Sequence, residues 1–275
     1  MFEIERIVRT ALEEDIGLGD ITTEATVEKG VMARAELVAK EDFVLAGIDV
    51  AARVFAELDR EVDFETLKQD GEKVARGEVL AWIRGEARSL LQGERVALNL
   101  LQRMSGIATM TSRFVAEVSG TEAVVVDTRK TVPGLRVLDK YAVRMGGGRN
   151  HRTSLYDGVL IKENHVAAAG GIAAAISRAR KRISHVLKVE IETRDLAEVR
   201  EALDAGADVI LLDNMSLEEL RQAVELIDGK AITEASGGVA LDTIGEIAQT
   251  GVDVISVGSL THSCVAADIS MLFQD

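Results

Sequence analysis

The stretch DAGADVILLDN, from Asp204 to Asn214, contains the pattern that decides the fold of this chain. Its apolar run at 208–212 has the length of a buried strand and follows a helical segment. Two polar residues, Asp213 and Asn214, come directly after it. A similar stretch, QTGVDVI, begins at Gln249, so one kind of helix-to-strand connection is used twice. Strands that are apolar on both faces are typical of a parallel sheet covered by helices.

Outward from this stretch, the second half of the chain alternates apolar runs with helical patterns. Six runs of strand length occur after residue 120, at 123–126, 158–161, 186–191, 208–212, 231–233 and 253–257. Neither Gly-x-Gly-x-x-Gly nor Gly-Lys-Ser/Thr follows any of them, so a Rossmann or P-loop nucleotide site has no support. The pattern predicts a parallel α/β barrel that is open, because six strands are found where a closed barrel has eight.

The first part of the chain has a different, non-repeating pattern. Helical spacing at 2–14 and 48–58 and a long helical pattern at 86–118 flank short strand patterns at 32–38, 42–46 and within 61–84. We expect the long helix to be interrupted at Ser105-Gly106. The predicted fold class is therefore α/β, with an α+β domain at 1–110 and the open barrel at 111–275, whose C-terminal tail can pack back on the first domain.

Composition excludes several classes of protein. The chain has 275 residues, 47% of them hydrophobic, which is enough for a sizeable core and argues against disorder. No apolar run approaches the roughly 20 residues of a membrane span, and the charged N-terminus does not resemble a signal peptide. Cys264 is the single cysteine, which excludes an internal disulfide and fits a reducing cytoplasm. A net charge of −14 argues against general binding to nucleic acid or anionic membranes.

One window of the sequence has the opposite charge. Between Thr128 and Lys162 there are eight basic and two acidic residues, so the window carries +6 within an acidic chain. Such a window predicts a cationic pocket for a small, multiply charged anion. The alternative interpretation is a solvated basic helix face, which is common.

Every predicted barrel strand ends in polar or charged residues, which is where a barrel builds its active site. These ends are Asp127-Thr128-Arg129-Lys130, Lys162-Glu163-Asn164-His165, the alternating Lys188, Glu190 and Glu192, Asp213-Asn214, Glu234-Ala-Ser-Gly-Gly, and Gly258-Ser259. A further basic loop, Arg149-Asn-His-Arg152, precedes the second strand. The early ends are basic and the late ones acidic or rich in glycine, so solubility alone is a poor explanation for them.

The residue types suggest which part of an anionic substrate each strand end would bind. Arg129, Lys130, His151, Arg152 and Lys162 would capture carboxylates and phosphates. Ser236-Gly237-Gly238 and Gly258-Ser259 each precede a predicted helix, where backbone amides bind phosphate well. Glu190 and Asp213 would face ribose hydroxyls, or Mg²⁺ held together with substrate phosphates. The alternatives are glycines that only cap helices and carboxylates that are only solvated.

Eight motifs of this chain resemble one enzyme family, nicotinate-nucleotide pyrophosphorylase (carboxylating), that is, quinolinate phosphoribosyltransferase. They are GERVALN from Gly93, LQRMSGIAT from Leu101, DTRKTVPGLR from Asp127, KYAVRMGGGRNHR from Lys140, LIKENH from Leu160, LLDNM from Leu211 and EASGG from Glu234, followed by VGSLTH from Val257. The resemblance runs from Gly19 to the C-terminus. It implies an N-terminal α/β sandwich followed by an open α/β barrel, in a homodimer or a hexamer built from three dimers with shared active sites.

The resemblance also implies an activity and roles for individual residues. It implies Mg²⁺-dependent conversion of quinolinate and phosphoribosyl pyrophosphate to nicotinate mononucleotide, pyrophosphate and CO₂, without an organic cofactor, in cytoplasmic NAD synthesis. Quinolinate would be held by Thr128, Arg129, His151, Arg152 and, from the partner subunit, Arg95. Lys130, Lys162, Glu190 and Asp213 would act at the reacting centre, the last two with the metal. The 5′-phosphate would lie against Ser236, Gly237, Gly238, Val257, Gly258 and Ser259.

Three other functions stay open at this point. A diverged relative with the same fold would act on another ring substrate. A Schiff-base enzyme of the aldolase kind would use Lys130 or Lys162 as a nucleophile. A non-catalytic phosphosugar-binding barrel would bind without releasing pyrophosphate.

Overall fold

The computed structural model describes residues 2–274. The helices are, in chain order, α1 (Phe2–Ile16), α2 (Ile21–Thr26), α3 (Ile48–Leu58), α4 (Ala87–Glu117), α5 (Arg136–Met145), α6 (Glu163–Ala169), α7 (Ile172–Arg180), α8 (Leu196–Asp204), α9 (Leu217–Ile227), α10 (Ile244–Ala248) and α11 (Ser259–His262). The strands are β1 (Met32–Ala39), β2 (Phe43–Val44), β3 (Asp63–Thr66), β4 (Lys73–Val74), β5 (Val79–Glu86), β6 (Val124–Val126), β7 (Val159–Ile161), β8 (Val189–Thr193), β9 (Val209–Asp213), β10 (Ile232–Ser236), β11 (Val254–Ser256) and β12 (Ile269–Gln274).

The chain forms two compact units that interleave along the sequence. Unit 1 consists of the residues up to Ser112, Thr131–Gly147, and the residues from Thr261 onward; unit 2 consists of Arg113–Lys130 and Gly148–Leu260. The C-terminal strand therefore belongs to unit 1. The predicted single boundary after residue 110 stays a prediction.

Unit 1 is built on an antiparallel sheet with the strand order β12-β1-β5-β3. Alternation along β1 and β5 buries most of one face, on which Leu37 and Ile83 are fully buried. On the other face the guanidinium of Arg34 lies 3.8 Å from the ring centroid of Trp82. One buried and one exposed face explain why these strands show period-two patterns, in contrast to the barrel strands.

Helix α4 is continuous over 31 residues, so the predicted interruption at Ser105-Gly106 is wrong. Ser105 is fully buried, and its hydroxyl oxygen accepts a hydrogen bond from the backbone N–H of Ala46 at 3.1 Å. A Cβ at Gly106 would overlap the backbone carbonyl oxygen of Val265. These two small residues therefore allow close packing within unit 1 and do not break the helix.

Unit 2 contains the six strands predicted for the barrel, all parallel, in the order β6-β11-β10-β9-β8-β7. The side chains of Ile210 and Leu212 on β9 are fully buried on the side opposite Leu211 and Asp213. Since β6 and β7 are the two edges of this sheet, the barrel is open. The predicted fold class is thereby confirmed.

The free edge of β6 is partly covered by a short stretch that we call the edge segment, residues 149–152. Arg149 forms a parallel bridge with Val126, and its N–H donates to the carbonyl of Val125 at 2.9 Å. The N–H of Asp127 in turn donates to the carbonyl of Arg149 at 3.2 Å. The loop before β7 thus begins as an extra pairing partner for the first barrel strand.

Among the described residues, no helix combines the length and hydropathy of a membrane span.

Candidate active site

A cavity of about 540 Å³ opens at the carboxyl ends of the unit 2 strands. Ten of the predicted site residues line it: Thr128, Arg129, Lys130, His151, Arg152, Lys162, Asp213, Ser236, Gly237 and Gly238. Six further residues complete the lining: Leu160, Glu192, Leu211, Asn214, Glu234 and Ser256. The other predicted residues lie elsewhere. Glu190 and Val257 are buried, Gly258 and Ser259 stand at the start of α11, and Arg95 is exposed on α4 of unit 1.

The cationic part of the cavity is formed by the end of β6 and the edge segment. The Nη1 of Arg152 donates to the carbonyl of Gly158 at 3.0 Å, which fixes one side of the guanidinium. Burial and then the nearby charge of Arg129 lower the pKa of Arg152 from its usual value. Because two cations are held close together here, an anion with two negative groups would relieve their repulsion.

Besides Glu234, two carboxylates line the cavity at the ends of β8 and β9. Glu192 accepts a hydrogen bond from the Nζ of Lys162 at 2.7 Å. Asp213 accepts one from the side-chain amide of Asn214 at 2.9 Å. Lys162 itself is positioned at the start of α6, where its N–H donates to Nδ1 of His165 at 2.9 Å. His165 thus accepts the first backbone N–H of this helix end.

Glu190 is largely buried beside the cavity, and its predicted role at the ribose and Mg²⁺ stays a prediction. It lies two residues before Glu192 on the same face of β8, is only 7% exposed and is absent from the cavity lining. Its carboxylate instead lies 3.1 Å from Nε2 of His151, while Glu234 on β10 lies 3.5 Å from the same nitrogen. Of the two acids on β8, Glu192 lines the cavity, whereas Glu190 packs against His151 and Glu234, which themselves line it.

His151, Glu190 and Glu234 form a cluster of one imidazole and two buried carboxyl groups. Each of the three side chains offers one atom within 4.8 Å of the others. Burial, and next the charge of Glu190, raise the pKa of Glu234 to about 7 from its usual 4.5. Two adjacent buried carboxylates cannot both stay ionised at low energy, so the pair needs a proton or a cation to compensate it.

His151 connects this cluster to the cavity wall. The backbone N–H of Arg152 donates to its Nδ1 at 2.7 Å, so we infer that the ring proton lies on Nε2. That proton points toward Glu190. Both ring nitrogens are thus engaged within unit 2. A hydrogen bond from His151 to a substrate stays a prediction, and it requires Nε2–H to be shared between the substrate and Glu190.

The glycine-rich end of β10 forms a sharp turn at the cavity. Gly237 and Gly238 have positive φ angles of 92° and 61°, and Asn214 on the neighbouring strand end has 54°, which asparagine tolerates better than most residues. A Cβ at Gly237 would overlap the side-chain amide of Asn214. Helix α10 begins only at Ile244, so this turn is not at a helix N-terminus as the sequence suggested. Close approach to the backbone here depends on the glycines themselves.

Arg95 and Asn99 are exposed on α4, whereas Arg103 on the same helix face is not available for a ligand. Its guanidinium donates twice to the fully buried carboxylate of Asp139, at 2.9 Å each. Of this polar stripe, only the first two side chains are therefore open to solvent or to another molecule.

Comparison with known proteins agrees with this architecture. Residues 20–105 match the family described as quinolinate phosphoribosyl transferase, N-terminal domain, and residues 107–272 match its C-terminal domain. A protein named probable nicotinate-nucleotide pyrophosphorylase [carboxylating] from Bacillus subtilis is 44% identical over 98% of this chain and 93% of its own length. The crystal structure of NadC from Streptococcus pyogenes has a TM-score of 0.95 and 44% identity, and covers 100% of this chain and 98% of its own. That of nicotinate-nucleotide pyrophosphorylase from Francisella tularensis also has a TM-score of 0.95, with 41% identity over 99% and 96% of the two chains. This chain belongs to the quinolinate phosphoribosyltransferase family.

Proposed function

We propose that this chain transfers the phosphoribosyl group of phosphoribosyl pyrophosphate to quinolinate and releases pyrophosphate and CO₂, giving nicotinate mononucleotide for de novo NAD synthesis. The observation that carries the proposal is the division of the unit 2 cavity. Cations gather at the end of β6 and the edge segment, and carboxylates and glycines gather at the ends of β8, β9 and β10. Family membership supports the same reaction.

The cationic part suits quinolinate, which carries two adjacent carboxylates on a flat ring. The guanidinium groups of Arg129 and Arg152 would each pair with a carboxylate through charge-assisted hydrogen bonds, with Thr128 beside them. Binding the dianion would relieve the repulsion between the two arginines. His151 would hold the ring edge through the shared Nε2–H.

The carboxylate part suits the reacting ribose. Breaking the bond between ribose and pyrophosphate develops positive charge on the sugar, which Glu192 and Asp213 would stabilise. Lys130 and Lys162 would stabilise the negative charge that develops on pyrophosphate. The ion pair between Lys162 and Glu192 holds both groups at adjacent strand ends before the substrate arrives.

The 5′-phosphate of the ribose would lie on the turn Ser236-Gly237-Gly238, close to the backbone. Val257, Gly258 and Ser259, at the end of the neighbouring strand β11, would complete the phosphate site through the amides at the start of α11. The strand order places these two strand ends side by side.

Mg²⁺ fits the donor set of the cavity, because Glu192 and Asp213 offer carboxylate oxygens beside the expected position of substrate phosphates. Glu190, the acid predicted for this role from the sequence, stays a candidate beside Glu192, since the two share one face of β8. When bound, Mg²⁺ would neutralise charge on the pyrophosphate. Decarboxylation requires no organic cofactor, since the ribosylated ring nitrogen is cationic and accepts the electrons that CO₂ leaves behind.

We also propose that the protein works in the cytoplasm as a homodimer, or as a hexamer of three dimers, whose active sites are shared. The exposed position of Arg95 on α4 supports this, because it leaves the guanidinium available to the quinolinate of a partner subunit. An isologous dimer would make the exchange reciprocal.

The decisive experiment measures product formation with purified protein, Mg²⁺, phosphoribosyl pyrophosphate and quinolinate labelled in the 2-carboxylate. We expect equal amounts of labelled CO₂, pyrophosphate and nicotinate mononucleotide. Pyrophosphate release with another pyridine acid and none with quinolinate would indicate a diverged relative instead. Binding of phosphoribosyl pyrophosphate without turnover would indicate a binding protein, and trapping of a carbonyl substrate by borohydride would indicate a Schiff-base enzyme.

A further inference from the structure

Asp127 is a buried carboxylate that holds the edge segment and does not face the cavity. It is fully buried at the end of β6 and is not among the residues that line the cavity. Its Oδ1 accepts a hydrogen bond from the backbone N–H of His151 at 2.9 Å, and its Oδ2 accepts one from the side-chain amide of Asn150 at 2.6 Å. A single buried charge thus fixes two successive residues of the edge segment.

The edge segment has little other regular structure to hold it. Its backbone pairing with β6 consists of one bridge at Arg149, and the chain then leaves the sheet until β7. After Arg152 comes a turn closed by Asp157, which accepts the N–H groups of Thr153 and Ser154 at 2.6 and 2.8 Å. The backbone of His151 and Arg152 is therefore held by Asp127 on one side and followed by this turn on the other, in addition to the contacts of their side chains with Gly158, Glu190 and Glu234.

We propose that Asp127 is a positioning residue for the anion-binding end of the site, and that it sets the affinity for the ring dicarboxylate through the edge segment. This inference rests on the proposed function, since it assumes that Arg152 binds a quinolinate carboxylate. Asp127 does not line the cavity. We expect its effect to fall mainly on the anion-binding end, because both hydrogen bonds described above run to the edge segment, whereas Asp213 ends β9 and Gly237 and Gly238 follow β10.

The chemistry of the contact explains why a carboxylate is needed. Both neighbours, the His151 N–H and the Asn150 amide, are donors, and only a carboxylate presents an acceptor to each. In Asp127→Asn the new amide oxygen can accept from the His151 N–H, but its NH2 group can meet Asn150 only if the Asn150 amide turns over. In either orientation the two charge-assisted hydrogen bonds become neutral and weaker, so we expect the edge segment to be held less firmly against β6.

The test compares Michaelis constants of Asp127→Asn for the two substrates of the intact enzyme. We expect the KM for quinolinate to rise about tenfold or more, as loss of a charge-assisted buried hydrogen bond implies, and the KM for phosphoribosyl pyrophosphate to change less than about twofold. The reciprocal double variant Asp127→Asn/Asn150→Asp restores an acceptor for each donor, and we expect it to recover most of the affinity for quinolinate.

Asp253→Asn is the matched control, since Asp253 also accepts two hydrogen bonds between neighbouring strands. Its carboxylate takes the N–H and the hydroxyl of Thr233, both at 2.7 Å, at the opposite end of the barrel strands. Asp253→Asn should lose stability but keep both KM values of the wild type, because its hydrogen bonds lie away from the cavity. If Asp127→Asn does not fold, Asn150→Ala removes one of the two bonds and should raise the quinolinate KM about threefold or more.

Equal changes of both KM values, no change in either, or failure of the reciprocal variant to recover affinity would each overturn the assignment to Asp127. The proposed function is judged separately, on the wild-type protein in the same assay. A wild type that does not convert quinolinate refutes the function, whereas an active wild type with an unaffected Asp127→Asn variant refutes only the positioning role.

Discussion

Replacing Glu234 by Gln should make the protein more stable at neutral and alkaline pH. The side chain of Glu234 is only 5% exposed and lies against Glu190, and burial together with that charge raises its pKa to about 7 from 4.5. Glutamine resembles the protonated acid in shape and can both donate and accept a hydrogen bond. The variant therefore keeps the neutral form of the residue at every pH.

The sign and size of the effect follow from proton linkage. Below about pH 4.5, Glu234 is protonated in both the folded and the unfolded chain, so the wild type and the variant should differ little. Between pH 4.5 and 7 only the folded chain keeps the proton, so the stability associated with it is lost progressively as the pH rises through this range. At about 1.4 kcal/mol for each pKa unit, the variant should be more stable by about 3 kcal/mol above pH 7.

Urea unfolding of both proteins between pH 4 and pH 8.5 measures this difference, because the titrating groups outside the cluster of His151, Glu190 and Glu234 are common to the two. The matched control is Glu246→Gln on the exposed surface of α10, which should show no such trend. A difference that does not grow with pH, or a wild type that is more stable than Glu234→Gln at pH 8, would refute the reasoning.

Three further predictions concern substrate binding and assembly. Arg152→Ala should weaken quinolinate by about 1.5–3 kcal/mol and phosphoribosyl pyrophosphate far less, which calorimetry of each ligand can decide; equal losses would make Arg152 structural. Gly237→Ala should lower the free energy of unfolding by over about 1 kcal/mol more than Gly238→Ala does, as measured by urea titration. Both glycines have positive φ, but only a Cβ at position 237 would overlap a neighbouring side chain. Equal losses in the two variants would contradict this. Arg95→Ala and Lys130→Ala should each be nearly inactive, yet refolding them together should restore about a quarter of wild-type activity through mixed dimers; no recovery in mixed dimers confirmed by mass would show that the sites are not shared.

The barrel could be predicted from the sequence because its strands are apolar on both faces, which few other arrangements of a chain require. Helix α3 was predicted at 48–58, as observed, because a clear apolar stripe starts and ends there. Gly106 shows where such patterns fail. The sequence alone does not distinguish a glycine that ends a helix from one that allows another segment to pack closely against it. For Gly106 the structure shows the second role, because the backbone at Val265 packs against it.

At the site, the sequence indicated which strand ends matter but not how deep each side chain lies. Glu190 and Glu192 share a face of β8, and alternation cannot tell which of them reaches the cavity. The difference arises from the sheet register, in which Glu192 pairs with Leu211, a cavity-lining residue, while Glu190 pairs with Val209. Glu234 was named only as part of a strand end, yet it precedes Ser236 by two residues and must share its face, so it could also have been assigned to the site.

The pairing of β1 with β12 has a consequence for how the protein is made. Ala39 pairs with Ile269, so the sheet of unit 1 joins the beginning of the chain to a strand that the ribosome delivers only after β6–β11 have been synthesised. Unit 2 can therefore complete its sheet first. Until β12 is synthesised, the edge of β1 that pairs with β12 stays unpaired and can associate with other nascent chains. During translation the order of folding is expected to run against the order of the sequence, with the catalytic barrel formed before the N-terminal sheet is closed.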